Sequence, residues 1–202
     1  MTAVSDELII TVRRYQVSML KQTYRDLMED EGLKRLVTFL LDTVYAPEDT
    51  NTPSEAFHKV YDYFVERPKG KPIAILTDLL ELNRLTDEID RSLAENIGKA
   101  SEITDAAYET ALRACNNRNE RERHIELFAG CVATLHRLTR HPLNTFMFKV
   151  IKLLMSYVGH PKAIKIVEEG YGALLGVEDI SRFIGAVKER ELGGLGRVYG
   201  NV

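Results

Sequence analysis

The chain has 202 residues, 45% of them hydrophobic and 28% charged, with 13 glycines and 6 prolines. That is enough apolar material for one packed core, and too little charge and proline for a disordered chain. The net charge of −3 conceals an asymmetry: residues 1–110 carry 13 basic and 21 acidic side chains, 111–165 carry 10 and 3, and 166–202 carry 4 and 6. A basic middle third marks a nucleic-acid face, a surface for an acidic partner, or a part of the domain attracted to its own acidic regions.

The apolar residues recur at helical spacing throughout, with no alternating stretch and no Asn-Gly or Asp-Gly hairpin signal, so an all-α fold is expected. A first helix from about Ser5 to Glu29 places Leu8, Val12, Tyr15, Met19 and Leu27 inward and stops at Gly32. The next, 33–45, is apolar nearly all the way round: Leu33, Val37, Leu40 and Val44 form one stripe, and Leu36, Phe39, Leu41 and Tyr45 fill other faces. It is expected to be buried, with the Tyr45 hydroxyl hydrogen-bonded. Pro47 ends it, and Thr52-Pro53-Ser54-Glu55 is a capping box that opens a helix carrying Phe57, Val60, Tyr61 and Phe64.

The clearest amphipathic helix spans 73–96, with Ile75, Leu79, Leu82, Ile89 and Leu93 inward. Its outward charges include Asp78, Glu81, Asp87 and Glu95, with i, i+4 pairs Arg84–Glu88, Asp87–Arg91 and Arg91–Glu95. Gly98 closes it. A short helix over 104–114 breaks at Asn116-Asn117, and a long one over 119–139 buries Ile125, Phe128, Val132 and Leu135, with Gly130 where another backbone would come close. Pro142 opens the most apolar helix, 142–158, read as the centre of the fold. Helices over 162–175 and from Val177-Glu178-Asp179 to about Glu191 follow. Gly193, Gly194 and Gly196 predict a loosely held tail over 193–202. The reading is thus a single-domain bundle of eight or nine helices over 1–192, centred on one apolar helix.

The segment Phe39-Leu40-Leu41-Asp42-Thr43-Val44-Tyr45, followed by Pro47 and Asp49, resembles the signature of the bacterial FFLEELY-motif proteins, with Thr38, Leu41 and Thr43 departing from a stricter form. Leu80 to Asp90 looks like that family's acidic mid-chain helix, and Glu168-Glu169-Gly170-Tyr171 with Arg190-Glu191 looks like its C-terminal helices. The likeness extends over about 10–191 and implies relatives without an activity. The motif itself reads as a packing device: Leu40→Ala should be costly and Asp42→Ala cheap.

Catalytic chemistry has no visible foothold. There is no Gly-x-Ser-x-Gly elbow, no Walker A loop and no paired Glu-x-x-His, and Cys115 and Cys131 lack CxxC spacing and read as reduced thiols on helices. Glu120, Glu122, His124 and Glu126 gather on one helix turn, but the pattern is that of a solvated, charge-paired face, so no metal and no cofactor is expected. His136, His141 and His160 are the candidates for a haem-like ligand. Arg121, Arg123, Arg137 and Arg140 are the candidate basic surface, with Arg113, Arg118, Lys149, Lys152, Lys162 and Lys165 nearby. The acidic N-terminus and the lack of a long apolar span point to a cytoplasmic protein without membrane insertion. The residues alone do not say what the protein does. They favour an interaction or regulatory role, through a protein partner or self-association, over catalysis. A helical pocket for an apolar or haem-like ligand is the alternative, and nucleic-acid binding the third.

Overall fold

Helical periodicity becomes helix wherever the structure can be read: the computed structural model describes residues 4–45, 62, 74–98, 103–140 and 161–200, and among them there is no strand. The elements are α1 (Asp6–Thr23), α2 (Arg25–Glu29), α3 (Lys34–Phe39), a π turn (Leu40–Val44), α4 (Ala74–Ile97), α5 (Asp105–Cys115), α6 (Arg118–Arg140), α7 (Pro161–Leu175) and α8 (Ser181–Tyr199). The fold is an all-α single domain. The capping box at 52–55, its helix, and the apolar helix expected at 142–158 as the centre of the bundle lie outside the described residues.

Local chemistry accounts for most of the ends. Ser5 and Thr104 accept from Leu8 N and Ala107 N at 3.3 Å each, capping α1 and α5. Gly98 closes α4 at φ 67°, a conformation open to glycine, and Asn116 ends α5 at φ 47°, as an Asn can. Asp30 accepts from the N–H of Gly32 and of Leu33, turning the chain into α3.

Two expected helices are broken. The first divides at Tyr24, whose ring is buried and whose hydroxyl donates to Glu191 Oε1 at 2.6 Å. Arg190 reaches the same kink, donating to the Thr23 carbonyl at 2.6 Å and to both Asp26 oxygens at 2.7 Å, and so satisfies a carbonyl left free at the helix end. The second helix changes pitch at Leu40. Tyr45 N donates to Leu40 O at 2.9 Å, a bond five residues back that adds one residue to the turn. That residue rotates the stripe: Leu40 and Leu41 stay buried, but Val44 is 49% exposed, so the segment is not covered on every side. Tyr45 is half-buried rather than buried, with its ring 6.3 Å from that of Phe128.

At the C-terminus, α8 runs through Gly193, Gly194 and Gly196 to Tyr199, correcting the loose tail expected over 193–202 for the residues described there. Leu195 and Gly196 are buried, the Tyr199 hydroxyl donates to Leu112 O at 2.6 Å, and Arg118 donates to Gly200 O at 2.7 Å. Tertiary contacts thus outweigh the roughly 1 kcal/mol that each helical glycine costs. Gly130 is also corrected: it is exposed, and a Cβ built on it meets nothing within 4 Å. The close approach is at Gly170 on α7, where a Cβ would stand 2.9 Å from Phe39 Cζ.

Packing forms two cores. One joins α1, α4 and α5 through Ile9, Val12, Leu93, Ala94, Ile103, Ala111 and Leu112. The other gathers α2, α3 and the π turn with α6, α7 and α8 around Leu27, Leu36, Val37, Val132, Leu174, Phe183 and Val187.

Candidate functional site

Alongside the second core the described helices leave a space between them. A cavity of about 580 Å³ lies among α1, α3, the π turn, α4, α6, α7 and α8. Its wall is mainly apolar and includes Leu20, Phe39, Leu79, Leu82, Phe128 and Leu135, all of them only partly buried although they lie on the inner faces of their helices. Four signature residues also line it: Leu40, Leu41, Val44 and Tyr45 join Phe39 on the wall. Burial raises the Tyr45 phenol well above its ordinary range. Gly170 lets Phe39 lie against the α7 backbone, which seats that ring at the cavity edge.

Polar groups enter from α1, α4, α5 and α6. Arg13 donates through Nε to Asp90 Oδ2 at 2.6 Å and through Nη2 to Asp87 Oδ1 at 2.8 Å. Asp87, expected in water beside Arg91, is therefore tied to α1. Asp90, 5% exposed, is the buried member of the pair, and desolvation raises its pKa against the pull of Arg13. Gln16 hydrogen-bonds both Asp90 and the Tyr108 phenol, and the Tyr108 ring lies 4.9 Å from that of Tyr15.

Arg121 and His124 project from successive turns of α6. Arg121 Nε donates to Asn117 Oδ1 at 2.8 Å, while Nη2 is buried and has no hydrogen-bond partner among the described residues. His124 Nε2 is 2.8 Å from Thr86 Oγ1, whose own hydroxyl donates to Leu82 O at 2.9 Å. A hydroxyl has one proton, so Thr86 must accept here; His124 is protonated on Nε2 and keeps Nδ1 as an acceptor. Burial first, and then the nearby Arg121 charge, lower its pKa to about 4, so the imidazole is neutral at pH 7.

Of the solvated, charge-paired turn expected here, the glutamates keep that character and only His124 departs from it, by turning inward. Its neighbours point elsewhere: Glu122 accepts from Arg118 at 2.7 Å, Glu126 from Lys188 at 2.5 Å, and Glu120 is exposed. Among the described residues no three His, Cys, Asp or Glu side chains gather as a metal site. Of the haem candidates, His136 has Nε2 2.8 Å from the Val177 carbonyl, and His141 and His160 lie outside the described residues. Cys131 is buried, and desolvation pushes its thiol up to about 11, away from the reactive thiolate.

The four arginines of the candidate basic surface are divided. Arg123 is exposed and 2.8 Å from Glu81, Arg137 is exposed, Arg140 donates to the Val177 carbonyl, and Arg121 turns inward to the cavity. Sequence reasoning placed Arg121 by its charge and missed its direction, and it passed over Asp90, Gln16 and Thr86. The available signal was Asp90 on the inner side of α4, next to Ile89 and one turn before Leu93 and Ala94, facing Arg13 on a helix with Val12 inward.

Among the described residues no helix is long and apolar enough to cross a membrane. No curated protein and no solved structure matches the chain. A family model described as a domain of unknown function, DUF8198, matches residues 3–201, nearly the whole length, and the chain belongs to that family.

Proposed function

We propose that this protein binds a small, largely apolar molecule in the cavity between its helices, and acts as a binding protein rather than as an enzyme. The cavity carries the reading. Its volume of about 580 Å³ falls within the roughly 300–1,000 Å³ of small-molecule sites, and its apolar walls with a few converging polar groups match what such sites present.

On this reading the likeness to the FFLEELY signature acquires a physical meaning: the segment builds a π turn and lays Phe39, Leu40, Leu41, Val44 and Tyr45 along the cavity. Single π turns within α-helices occur frequently at functional sites. The interaction or regulatory role favoured by composition then becomes an output of ligand binding rather than the first event.

The chain contains no tryptophan, so Leu79→Trp on the α4 wall supplies a clean reporter. Titration with apolar probes such as dodecane derivatives is expected to shift the tryptophan emission saturably and to raise the midpoint of thermal unfolding of the unmodified chain. At a hundredfold excess over Kd the stabilisation is about 2.7 kcal/mol. If no apolar probe produces either change, the cavity reading is wrong.

A further inference from the structure

Resting on the cavity reading, we propose that the ligand is an amphipathic amine, its apolar body along the Leu79, Leu82 and Phe128 wall and its ammonium group at the Glu191 carboxylate. Three observations carry this. The first is an open acceptor. Glu191 lines the cavity, and its Oε1 receives the Tyr24 hydroxyl at 2.6 Å, while Oε2 has no hydrogen-bond partner among the described residues. Among those residues only Arg121 Nη2 is both sealed from the surface and unpartnered, so Glu191 Oε2 keeps surface open in the cavity that the side chain lines.

The second is the balance of charge. Asp90, a buried carboxylate on the same wall, has Arg13 Nε at 2.6 Å, and the Arg121 charge acts on it as well. On Glu191 no cation among the described residues acts: burial and the Tyr24 hydroxyl are what it feels. Its neighbour Arg190 is committed elsewhere, donating to Asp26 and to the Thr23 carbonyl and covering the Tyr24 ring at 5.4 Å from its centroid. A carboxylate taken out of water without a cation is costly. An ammonium N–H at Oε2 removes that cost and forms a charge-assisted hydrogen bond.

The third is the aromatic surface nearby. The Glu191 charge is felt by the Tyr45 and Tyr108 phenols, which line the cavity from the end of the π turn and from α5. The Tyr45 ring lies 6.3 Å from that of Phe128, so the wall along which the ligand body runs also presents rings, and ring faces attract alkylammonium groups. An anionic head has no comparable place, because the cations on this wall, Arg13 and Arg121, already act on Asp90.

The test compares three ligands with one chain length at submicellar concentration, dodecylamine, dodecanol and dodecanoate, read by the Leu79→Trp emission in the full chain at about pH 8, where an alkylamine is still cationic. Dodecylamine is expected to bind about tenfold more tightly than dodecanol, the scale of one charge-assisted hydrogen bond, and dodecanoate more weakly than either. Glu191→Gln should erase the preference for the amine and leave dodecanol unchanged, which also shows that the variant is folded. Glu120→Gln, the same change of charge at an exposed position, should leave the preference intact. If Glu191→Gln fails to bind dodecanol, Tyr24→Phe decides: it removes the donor at Oε1 and leaves the carboxylate, so the amine should still be preferred, and loss of the preference would overturn the assignment. Equal affinities for amine and alcohol, a preference for dodecanoate, or an amine preference that survives Glu191→Gln or vanishes in Glu120→Gln would also overturn it while the cavity stands. Silence with all three ligands would remove both.

Discussion

The two cores differ in how they are filled. Where α1, α4 and α5 meet, Val12, Leu93 and Ala94 are completely buried, and the small Ala94 and Ala111 let the helix backbones approach. Where α3, α6, α7 and α8 meet, the facing side chains are large, and Phe39, Phe128 and Leu135 remain partly uncovered beside the cavity. Among the described residues one interface is closed by side chains at 0% exposure, while the other is close at Gly170 and Ala173 and leaves large side chains partly uncovered beside them. The difference separates a part of the molecule devoted to stability from a part with room for something else.

The largest effect should come from truncating the closed core. Leu93→Ala is expected to cost about 4 kcal/mol, towards the upper end of the roughly 2–5 for buried leucines, because its neighbours have no freedom to collapse. Leu79→Ala, which enlarges a space already present, should cost less than about 2 kcal/mol. Equal costs by chemical denaturation would show that the two cores are packed alike and that the cavity is filled by the protein itself.

The cavity's polar edge should be visible in the pH dependence of stability. His124 has a folded pKa of about 4 against an ordinary 6.5, so the folded state binds fewer protons than the unfolded chain. Its contribution is complete above about pH 6.5 and is lost as pH falls towards 4. The total is about 3 kcal/mol, since each tenfold change in proton affinity is worth roughly 1.4 kcal/mol. His124→Gln should flatten the denaturation profile over that window. An unchanged slope would mean that the imidazole is solvated.

Two glycines sharpen the comparison further. Gly170→Ala forces a Cβ to 2.9 Å from the Phe39 ring and should destabilise by about 1–2 kcal/mol, after the gain in helix propensity is counted. Gly130→Ala meets open space and should stabilise by about 0.5–1 kcal/mol. If the signs were reversed, the approach of α3 to α7 would be wrong. The smallest effect belongs to Asp42→Ala. Its ion pair with Lys21 at 2.7 Å is about half-exposed on both sides, so the loss should stay below about 1 kcal/mol, while Leu40→Ala costs several times more. Parallel denaturation curves for the two variants decide whether the signature segment is chiefly a packing element.

The all-α class and the spans of α4, α5, α6 and α7 were legible in the sequence, because helical periodicity, Gly98 and the Asn116-Asn117 step are local signals that survive any tertiary arrangement. The Arg84–Glu88 pair was legible for the same reason. The kink at Tyr24 and the continuation of α8 through its glycines were not. Each is decided by a partner far along the chain, Glu191 and Arg190 in one case and Leu112 in the other. The candidate site belongs to this second class. Periodicity assigns a residue to a face of a helix, but it cannot say whether the opposite face arrives in contact, as at Leu93, or stops short and leaves space, as at Leu79. Nor can it say that Arg13 meets Asp90 across 77 positions, or that Arg121 turns inward close enough for its charge to act on the same carboxylate. Local sequence determines helices through interactions a few residues apart; the cavity and its charge are set by the distances between helices, which only the packed chain defines.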